Sequence, residues 1–166
     1  MSLIKSISGI RGTIGGKVND NLTPLDVVKF ASAFGTWLQN TQNKKNLTLV
    51  IGRDARISGE MVSSLVTATL QGLGINVVDL GLSTTPTVEI MVPELNADGG
   101  IILTASHNPK QWNALKLLNG KGEFISGDDG AKVLALAESE DFNYAEVDDL
   151  GKYETRNDAF DFHIQQ

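Results

Sequence analysis

Hydrophobic positions along the chain follow two alternating spacings, which predict helices and strands in turn. After Thr23 and Pro24, apolar residues recur every three or four positions from Val27 to Leu38, the spacing of a helix that buries one face. Thr23 suits the N-cap of this helix and Pro24 its first position. Short apolar runs predict strands at 47–51, 75–80 and 100–103, with a weaker one at 4–7.

Helical spacing returns between and after these runs. It predicts helices at about 60–71, with Met61, Leu65, Ala68 and Leu70 on the apolar face, and at 86–92 and 128–138. Short extended segments are expected at 114–118 and 123–125, on either side of a glycine-containing turn. Because strands and helices alternate, we predict an α/β fold: a three-layer α/β/α domain with a mixed, mostly parallel sheet of about four main strands flanked by helices.

Composition narrows the class of protein. Of 166 residues, 41% are hydrophobic and 20% charged, which suits a globular domain. The net charge of −6 argues against a nucleic-acid partner but leaves room for a small anionic ligand bound by a few cations. The absence of cysteine excludes disulfides and thiolate sites. With no leader-like start and no apolar run of membrane-spanning length, we expect a soluble cytoplasmic protein without a membrane partner.

The end of the chain has a different character from the rest. Residues 138–149 are acidic and irregular, and 158–166 begin an amphipathic pattern that no stop signal closes. We therefore expect residues 1–155 to form one domain and 156–166 to start a linker or helix leading into a second domain that this chain lacks.

The segment 104–109, Thr-Ala-Ser-His-Asn-Pro, is the strongest candidate for a functional site. It directly follows the predicted strand 100–103, and its Asn-Pro pair predicts a sharp turn that carries the hydroxyl of Ser106. In open α/β sheets, ligands bind at the carboxyl ends of strands. A structural alternative stays open, in which Ser106 and Asn108 only satisfy backbone groups of the turn.

Other chemistries fit the sequence less well. A hydrolase triad would need a base from elsewhere, since Ser106 and His107 are adjacent, and the other histidine, His163, lies in the tail. The segment 12–17 lacks the first glycine and the final hydroxyl of a phosphate-binding loop. The two histidines are too far apart to suggest a metal site made by protein groups alone.

Cations cluster near predicted strand ends. Arg11 lies between glycines in Ser-Gly-Ile-Arg-Gly (8–12), where a guanidinium could approach an oxyanion closely. Gly-Arg-Asp-Ala-Arg-Ile-Ser-Gly (52–59) carries Arg53 and Arg56, although a loop braced by Asp54 and arginine explains it equally well. Lys116 follows Ser106 by ten residues. One hydroxyl among several fixed cations indicates phosphoryl transfer.

In their order and spacing, the motifs at 8–12, 52–59 and 104–109 resemble those of the first domain of the α-D-phosphohexomutases. This family includes phosphoglucomutase/phosphomannomutase and phosphoglucosamine mutase. The resemblance extends from about residue 3 to 160. It implies that Ser106 is the phosphoserine, that its phosphate is a ligand of Mg²⁺, and that a hexose 1,6-bisphosphate phosphorylates it. The implied reaction interconverts hexose 1-phosphate and hexose 6-phosphate.

The same resemblance assigns roles to the cations. Arg11, His107 and Lys116 correspond to catalytic residues beside the phosphate, where Lys116, with or without His107, transfers a proton or stabilises charge. Arg11, Lys116, Arg53 and Arg56 correspond to groups that bind substrate or phosphate.

The chain also departs from the family pattern. Asn-Ala-Leu-Lys (113–116) replaces the usual Asn-Gly-x-Lys, which keeps the lysine but loses a glycine. The metal-binding Asp-Gly-Asp-x-Asp-Arg loop and the loops for the sugar and its phosphate are missing, and the resemblance implies that they belong to three later domains of the same polypeptide. Alternatives are a phosphoglucosamine mutase, a non-catalytic sugar-phosphate-binding module and a purely structural domain.

Overall fold

The computed structural model describes residues 1–6, 9–44 and 46–165. Its strands are β1 (Ile4–Ser6), β2 (Gly9–Thr13), β3 (Thr48–Arg53), β4 (Asn76–Leu82), β5 (Gly99–Leu103), β6 (Trp112–Leu118) and β7 (Tyr153–Thr155). Its helices are α1 (Pro24–Gln42), α2 (Gly59–Gly72), α3 (Thr85–Glu94), α4 (Gly127–Ser139) and α5 (Ala159–Gln165). Every helix predicted from apolar spacing is present. Among these residues, no helix is both long enough and apolar enough to cross a bilayer.

The seven strands of the described chain form one mixed sheet, in the order β1-β2-β6-β5-β3-β4-β7. Strands β5, β3, β4 and β7 pair in parallel, whereas β1, β2, β6 and β5 pair antiparallel. The predicted α/β class is therefore confirmed, with a parallel core and more strands than the four main ones expected.

Helices cover both faces of the sheet, as the three-layer prediction requires. On β3, Leu49 and Ile51 join the larger core beneath α1, α2 and α4, while Val50 joins a second core beneath α3 and α5. Strand β5 alternates in the same way, since Ile101 lies in the first core and Ile102 in the second. Each of these fully buried side chains contributes about 2 kcal/mol to folding.

Helix α1 begins as its sequence predicts. Thr23 is the N-cap and Pro24 the first helical residue. The carboxylate of Asp26 accepts a hydrogen bond from the Thr23 amide at 3.1 Å and a second from the Asn19 amide at 3.1 Å. Asp26 is completely buried, so this capping box orders the chain that enters the helix.

Two local predictions were wrong, the first of them in part. On α2, Leu70 is buried and Leu65 packs against the core as predicted, but Met61 is 40% exposed and Ala68 is exposed. The buried row of this helix is Val62, Val66 and Leu70, four residues apart. The segment 123–125 is not a strand and makes only an isolated bridge, between Phe124 and Leu118.

Three of the described strands, β1, β2 and β7, were not among the main strands predicted from the sequence. Residues 9–13, where no strand was predicted, form β2 between β1 and β6. Strands β1 and β7 have three residues each, all of them exposed. Strand β1 corresponds to the weak strand predicted at the N-terminus, whereas β7 lacks the apolar pattern that predicts a strand. Of the predicted N-terminal strand, Ile7 lies outside the described residues.

Candidate active site

Ser106 lies on an exposed loop that leaves the carboxyl end of β5. Its backbone is left-handed, with a φ of 53°, a conformation that residues other than glycine seldom adopt. The Ser106 amide donates a hydrogen bond to Thr104 Oγ1 at 3.2 Å, and the Asn108 amide donates to the Ala105 carbonyl at 3.0 Å. The loop therefore makes the sharp bend expected of 104–109 and turns the Ser106 hydroxyl outward.

Lys116 reaches Ser106 from the adjacent strand. Strand β6 returns antiparallel to β5, which places Lys116 opposite Ile102, four residues before Ser106. The Lys116 ammonium donates a hydrogen bond to Ser106 Oγ at 3.0 Å. This pairing gives the hydroxyl a cation within hydrogen-bond distance, suited to stabilise negative charge on that oxygen or on a phosphate attached to it.

Arg11 lies on β2, on the same face of the sheet as Lys116. In the β2–β6 register Arg11 pairs with Ala114 and Gly9 pairs with Lys116, so the two cations are diagonal neighbours. They line a shallow cavity of about 170 Å³. A Cβ atom on Gly9 would overlap the Leu115 carbonyl oxygen, so this glycine allows β2 to approach β6. Ser8, the first residue of the motif, lies outside the described residues.

Arg56 binds the backbone carbonyl oxygens of the Ser106 loop. Its guanidinium donates to the carbonyl oxygens of Ser106 at 2.8 Å and Asn108 at 2.8 Å. It also donates to those of Pro109 at 2.7 Å and Trp112 at 3.2 Å. These contacts are those of a loop brace, the structural alternative for the segment 52–59. The predicted role of Arg56 in binding substrate or phosphate stays a prediction.

Asp54 connects Arg56 to the strand end that bears Ser106. Its carboxylate accepts hydrogen bonds from Arg56 Nε at 3.3 Å and from Thr104 Oγ1 at 2.6 Å. Thr104 Oγ1 in turn accepts from the Ser106 amide, so the ends of β3 and β5 are connected through side chains. The sequence assigned no role of its own to Thr104, although its place as the first residue of the motif 104–109, directly after a strand, was the available signal.

Asn113 also belongs to the support of this region. It is completely buried, and its Nδ2 donates to Ser58 Oγ at 2.9 Å, which connects β6 to the start of α2. The sequence singled out residues 113–116 for the lysine and missed this role of the asparagine.

Arg53 lies away from the cavity that Arg11 and Lys116 line. It ends β3 and lines a separate groove of about 560 Å³ with Glu60, Asp79 and Tyr153. In that groove the Tyr153 hydroxyl donates to Asp79 at 2.7 Å, and this hydrogen bond, aided by partial burial and the Asp79 charge, raises the pKa of Tyr153 to about 12. The predicted binding role of Arg53 also stays a prediction.

The two histidines do not form a triad with Ser106. His107 is exposed on the Ser106 loop and makes no hydrogen bond with the described part of the chain. His163 lies on α5, where its Nδ1 is 2.7 Å from Thr87 Oγ1 of α3. In residues 1–6, 9–44 and 46–165, no three His, Asp or Glu side chains are grouped to hold a metal ion.

The sequence matches a known protein family over most of its length. Residues 3–144 match the family model described as phosphoglucomutase/phosphomannomutase, alpha/beta/alpha domain I. A phosphoglucomutase/phosphomannomutase of Thermococcus kodakarensis is 38% identical over 85% of this chain and 31% of its own length. A probable phosphoglucosamine mutase of Methanosphaera stadtmanae is 36% identical over 90% and 32%. The chain thus spans about a third of the length of these curated relatives.

Comparison of structures gives the same fold. A crystal structure of a phosphoglucomutase/phosphomannomutase family protein from Burkholderia thailandensis superposes with a TM-score of 0.79 at 24% identity. The match covers 96% of this chain and 34% of the other.

Proposed function

The chain belongs to the phosphoglucomutase/phosphomannomutase family, as its domain I, and from this membership we propose that it supplies the phosphoserine of a Mg²⁺-dependent phosphohexose mutase. In this proposal residues 1–155 form the domain that carries Ser106. Residues 156–166 lead toward the remaining domains, which would complete the active site.

The observation that carries this proposal is the contact between Ser106 Oγ and Lys116 Nζ, at 3.0 Å on an exposed loop. Phosphoryl transfer depends mainly on positioning and on neutralising charge. A phosphorylated Ser106 would place about two negative charges beside Lys116 and near Arg11, which supports a role for this loop as a phosphoryl carrier.

The proposed chemistry moves one phosphoryl group at a time. The bond between phosphorus and Ser106 Oγ breaks as a bond forms between phosphorus and a hydroxyl oxygen of the sugar phosphate. The proton of that hydroxyl passes to the departing Ser106 oxygen through Lys116, with or without His107. The resulting hexose 1,6-bisphosphate reorients and returns its other phosphoryl group to Ser106, which reverses this proton transfer.

Magnesium would be held only in part by this chain. A phosphate on Ser106 offers Mg²⁺ oxygen ligands, which this ion prefers. The Asp54 carboxylate is already bonded to Thr104 and Arg56, so it is not a free ligand. We propose that the other ligands come from an Asp-Gly-Asp-x-Asp-Arg loop in a later domain. When bound, the ion would neutralise charge on the transferred phosphoryl group.

The sugar could be glucose, mannose or glucosamine phosphate. A phosphoglucosamine mutase is the second candidate, because relatives under that name match this chain nearly as well as the phosphoglucomutase/phosphomannomutase. Comparing kcat/KM for the three sugar phosphates, in the polypeptide with its remaining domains, separates the two candidates.

The proposal is tested by replacing the serine. In the polypeptide with its remaining domains, Ser106→Ala should lower mutase turnover by more than about 1,000-fold, since it removes the group that carries the phosphoryl. Intact-mass measurement after incubation with hexose 1,6-bisphosphate and Mg²⁺ should find one phosphoryl group on the wild type and none on the variant.

The matched control is Ser139→Ala, an exposed serine at the end of α4. It should behave like the wild type in both assays. Normal turnover by Ser106→Ala would overturn the proposal. A wild type that binds sugar phosphates but is never phosphorylated would favour the non-catalytic module.

A further inference from the structure

The guanidinium of Arg56 uses all of its hydrogen-bonding capacity within the protein. Arginine has five N–H donors. One is directed at Asp54 and four at the carbonyl oxygens of the Ser106 loop, at distances between 2.7 and 3.3 Å. The side chain is only 11% exposed. Arg56 therefore has no free donor for a substrate phosphate in this arrangement.

The four carbonyl oxygens that accept hydrogen bonds from Arg56 are spread along the bend, from Ser106 to Trp112. Three of them belong to Ser106, Asn108 and Pro109, and the fourth belongs to Trp112, where β6 begins. The Pro109 carbonyl also accepts from the Trp112 amide at 3.0 Å, whereas the carbonyls of Ser106 and Asn108 belong to no regular element of the fold. One planar cation with a fixed fork of donors thus determines the separation of four carbonyls, which a lysine with its point charge cannot do.

The bend needs such support because its central residue is strained. Ser106 has a φ of 53°, in the left-handed region where its Cβ is crowded. Such conformations persist only when the surroundings enforce them. Arg56 holds the Ser106 carbonyl at 2.8 Å, and Thr104 holds the Ser106 amide at 3.2 Å. Both supports converge on Asp54, so the two peptide groups of Ser106 are fixed to the end of β3.

We propose that Arg56 is a positioning residue, which holds Ser106 in the left-handed conformation that presents its Oγ to Lys116 and to an incoming phosphoryl group. This inference rests on the proposed function for its consequence in catalysis, but not for its structural part. It assigns Arg56 to the interior of the loop and removes it from the set of residues that contact substrate.

The test begins on the chain without any ligand. Arg56→Lys keeps the charge and removes the fork, so backbone amide exchange of Ser106, Asn108 and Trp112 should become at least about ten times faster, because their loop opens more often. Arg156→Lys is the matched control, since Arg156 pairs with Asp158 at the far end of the chain. It should leave exchange in the loop unchanged.

A second variant covers the case in which Arg56→Lys fails to fold. Thr104→Val has nearly the same volume and removes the hydroxyl that connects Asp54 to the Ser106 amide. It should accelerate exchange of the Ser106 amide, and the rest of the sheet should keep its protection.

The kinetic arm uses the polypeptide with its remaining domains. A displaced nucleophile should lower kcat of Arg56→Lys by about 10- to 100-fold and leave KM within about twofold of the wild type. In Arg56→Ala, added guanidinium ion should restore part of the lost turnover, whereas Arg156→Ala should gain none.

The outcomes separate the two proposals. Unchanged loop exchange in Arg56→Lys, or a raised KM with normal kcat, would overturn the positioning role and favour a direct contact with substrate. Faster loop exchange in a protein whose wild type never accepts a phosphoryl group would support the positioning of the loop while contradicting the proposed function.

Discussion

Asp26 and Asp54 both use a carboxylate to fix backbone, but they act over very different distances along the chain. Asp26 is completely buried and bonds the amides of Asn19 and Thr23, all within one short segment. The side chain of Asp54 is 31% exposed and bonds Thr104, fifty residues later, as well as Arg56. The local carboxylate shapes the start of a helix, whereas the long-range one shapes a loop between strand ends. Asp54, the long-range carboxylate, is the one connected to the Ser106 loop.

Because Asp26 and Asp54 differ in burial, we expect different effects when each carboxylate is removed. Removing an acceptor from a dry site leaves donors without partners, which costs about 1–3 kcal/mol for each donor. Donors at a partly hydrated site can turn to water instead. We therefore expect Asp26 to control the stability of the domain and Asp54 to control the geometry of the loop.

The largest effect is expected for Asp26→Ala. It removes the capping box of α1 and leaves the buried amide and hydroxyl of Thr23 without their acceptor, so the free energy of unfolding should fall by about 3 kcal/mol. Urea denaturation measures this loss. Asp128→Ala, an exposed acid in the first turn of α4, should cost less than about 1 kcal/mol. Equal losses in the two variants would show that burial of the carboxylate is not what makes the capping box stabilising.

Asp54→Ala is expected to cost about 1.5 kcal/mol of stability, because its hydrogen bonds involve charge but are partly hydrated. Its larger effect should be on the loop, where NMR signals of residues 104–109 should shift or broaden. Asp26→Ala, measured under conditions where it stays folded, should leave those signals unchanged. A loop disturbed equally by both variants would contradict the separation between the two carboxylates.

The same contrast explains what the sequence could and could not predict. Thr23, Pro24 and the apolar spacing of α1 are local signals, and they predicted that helix correctly. Strand β2 was missed because its glycines indicate a loop, and only its position between β1 and β6 makes it a strand. Local patterns hold no information about such long-range partners.

For the site, motif residues could be named but their contacts could not. The motifs singled out Ser106 and Lys116, and the antiparallel return of β6 brings their side chains within 3.0 Å. For Arg56 the sequence left a brace and a binding role equally open. The difference depends on carbonyl groups 50 to 56 residues away, which no local pattern describes.

A smaller effect is expected from the backbone strain at Ser106, which can be measured separately from the loss of its hydroxyl by comparing two variants that both lack it. Glycine adopts a φ of 53° without crowding, whereas alanine keeps the penalty of the left-handed region. Because glycine also gains freedom in the unfolded chain, Ser106→Gly should be more stable than Ser106→Ala by only about 1 kcal/mol. Thermal unfolding of the two variants side by side measures this. If Ser106→Ala proved the more stable variant, the backbone at Ser106 would not be strained, and the loop would not need the contacts of Asp54 to keep its conformation.

The smallest effect concerns a third carboxylate, Asp79, on β4 beside the edge strand β7. It accepts a hydrogen bond from the Tyr153 hydroxyl at 2.7 Å, and Tyr153 is 46% exposed. The pKa of Tyr153 is raised from 10.0 to about 12 in the folded chain. A raised tyrosine pKa favours the folded state below pH 10, and this contribution is lost as the pH rises from 10 to 12.

The measurement is the free energy of unfolding at pH 9 and at pH 12 for the wild type and Tyr153→Phe. Solvent exposure limits the hydrogen bond to about 0.5 kcal/mol, so Tyr153→Phe should be less stable by that amount at pH 9 and equal to the wild type at pH 12. Lysine titration affects both proteins alike and cancels in the difference. A difference that persists at pH 12 would mean that Tyr153 stabilises β7 by packing, and that half-buried Asp79 contributes nothing comparable to buried Asp26.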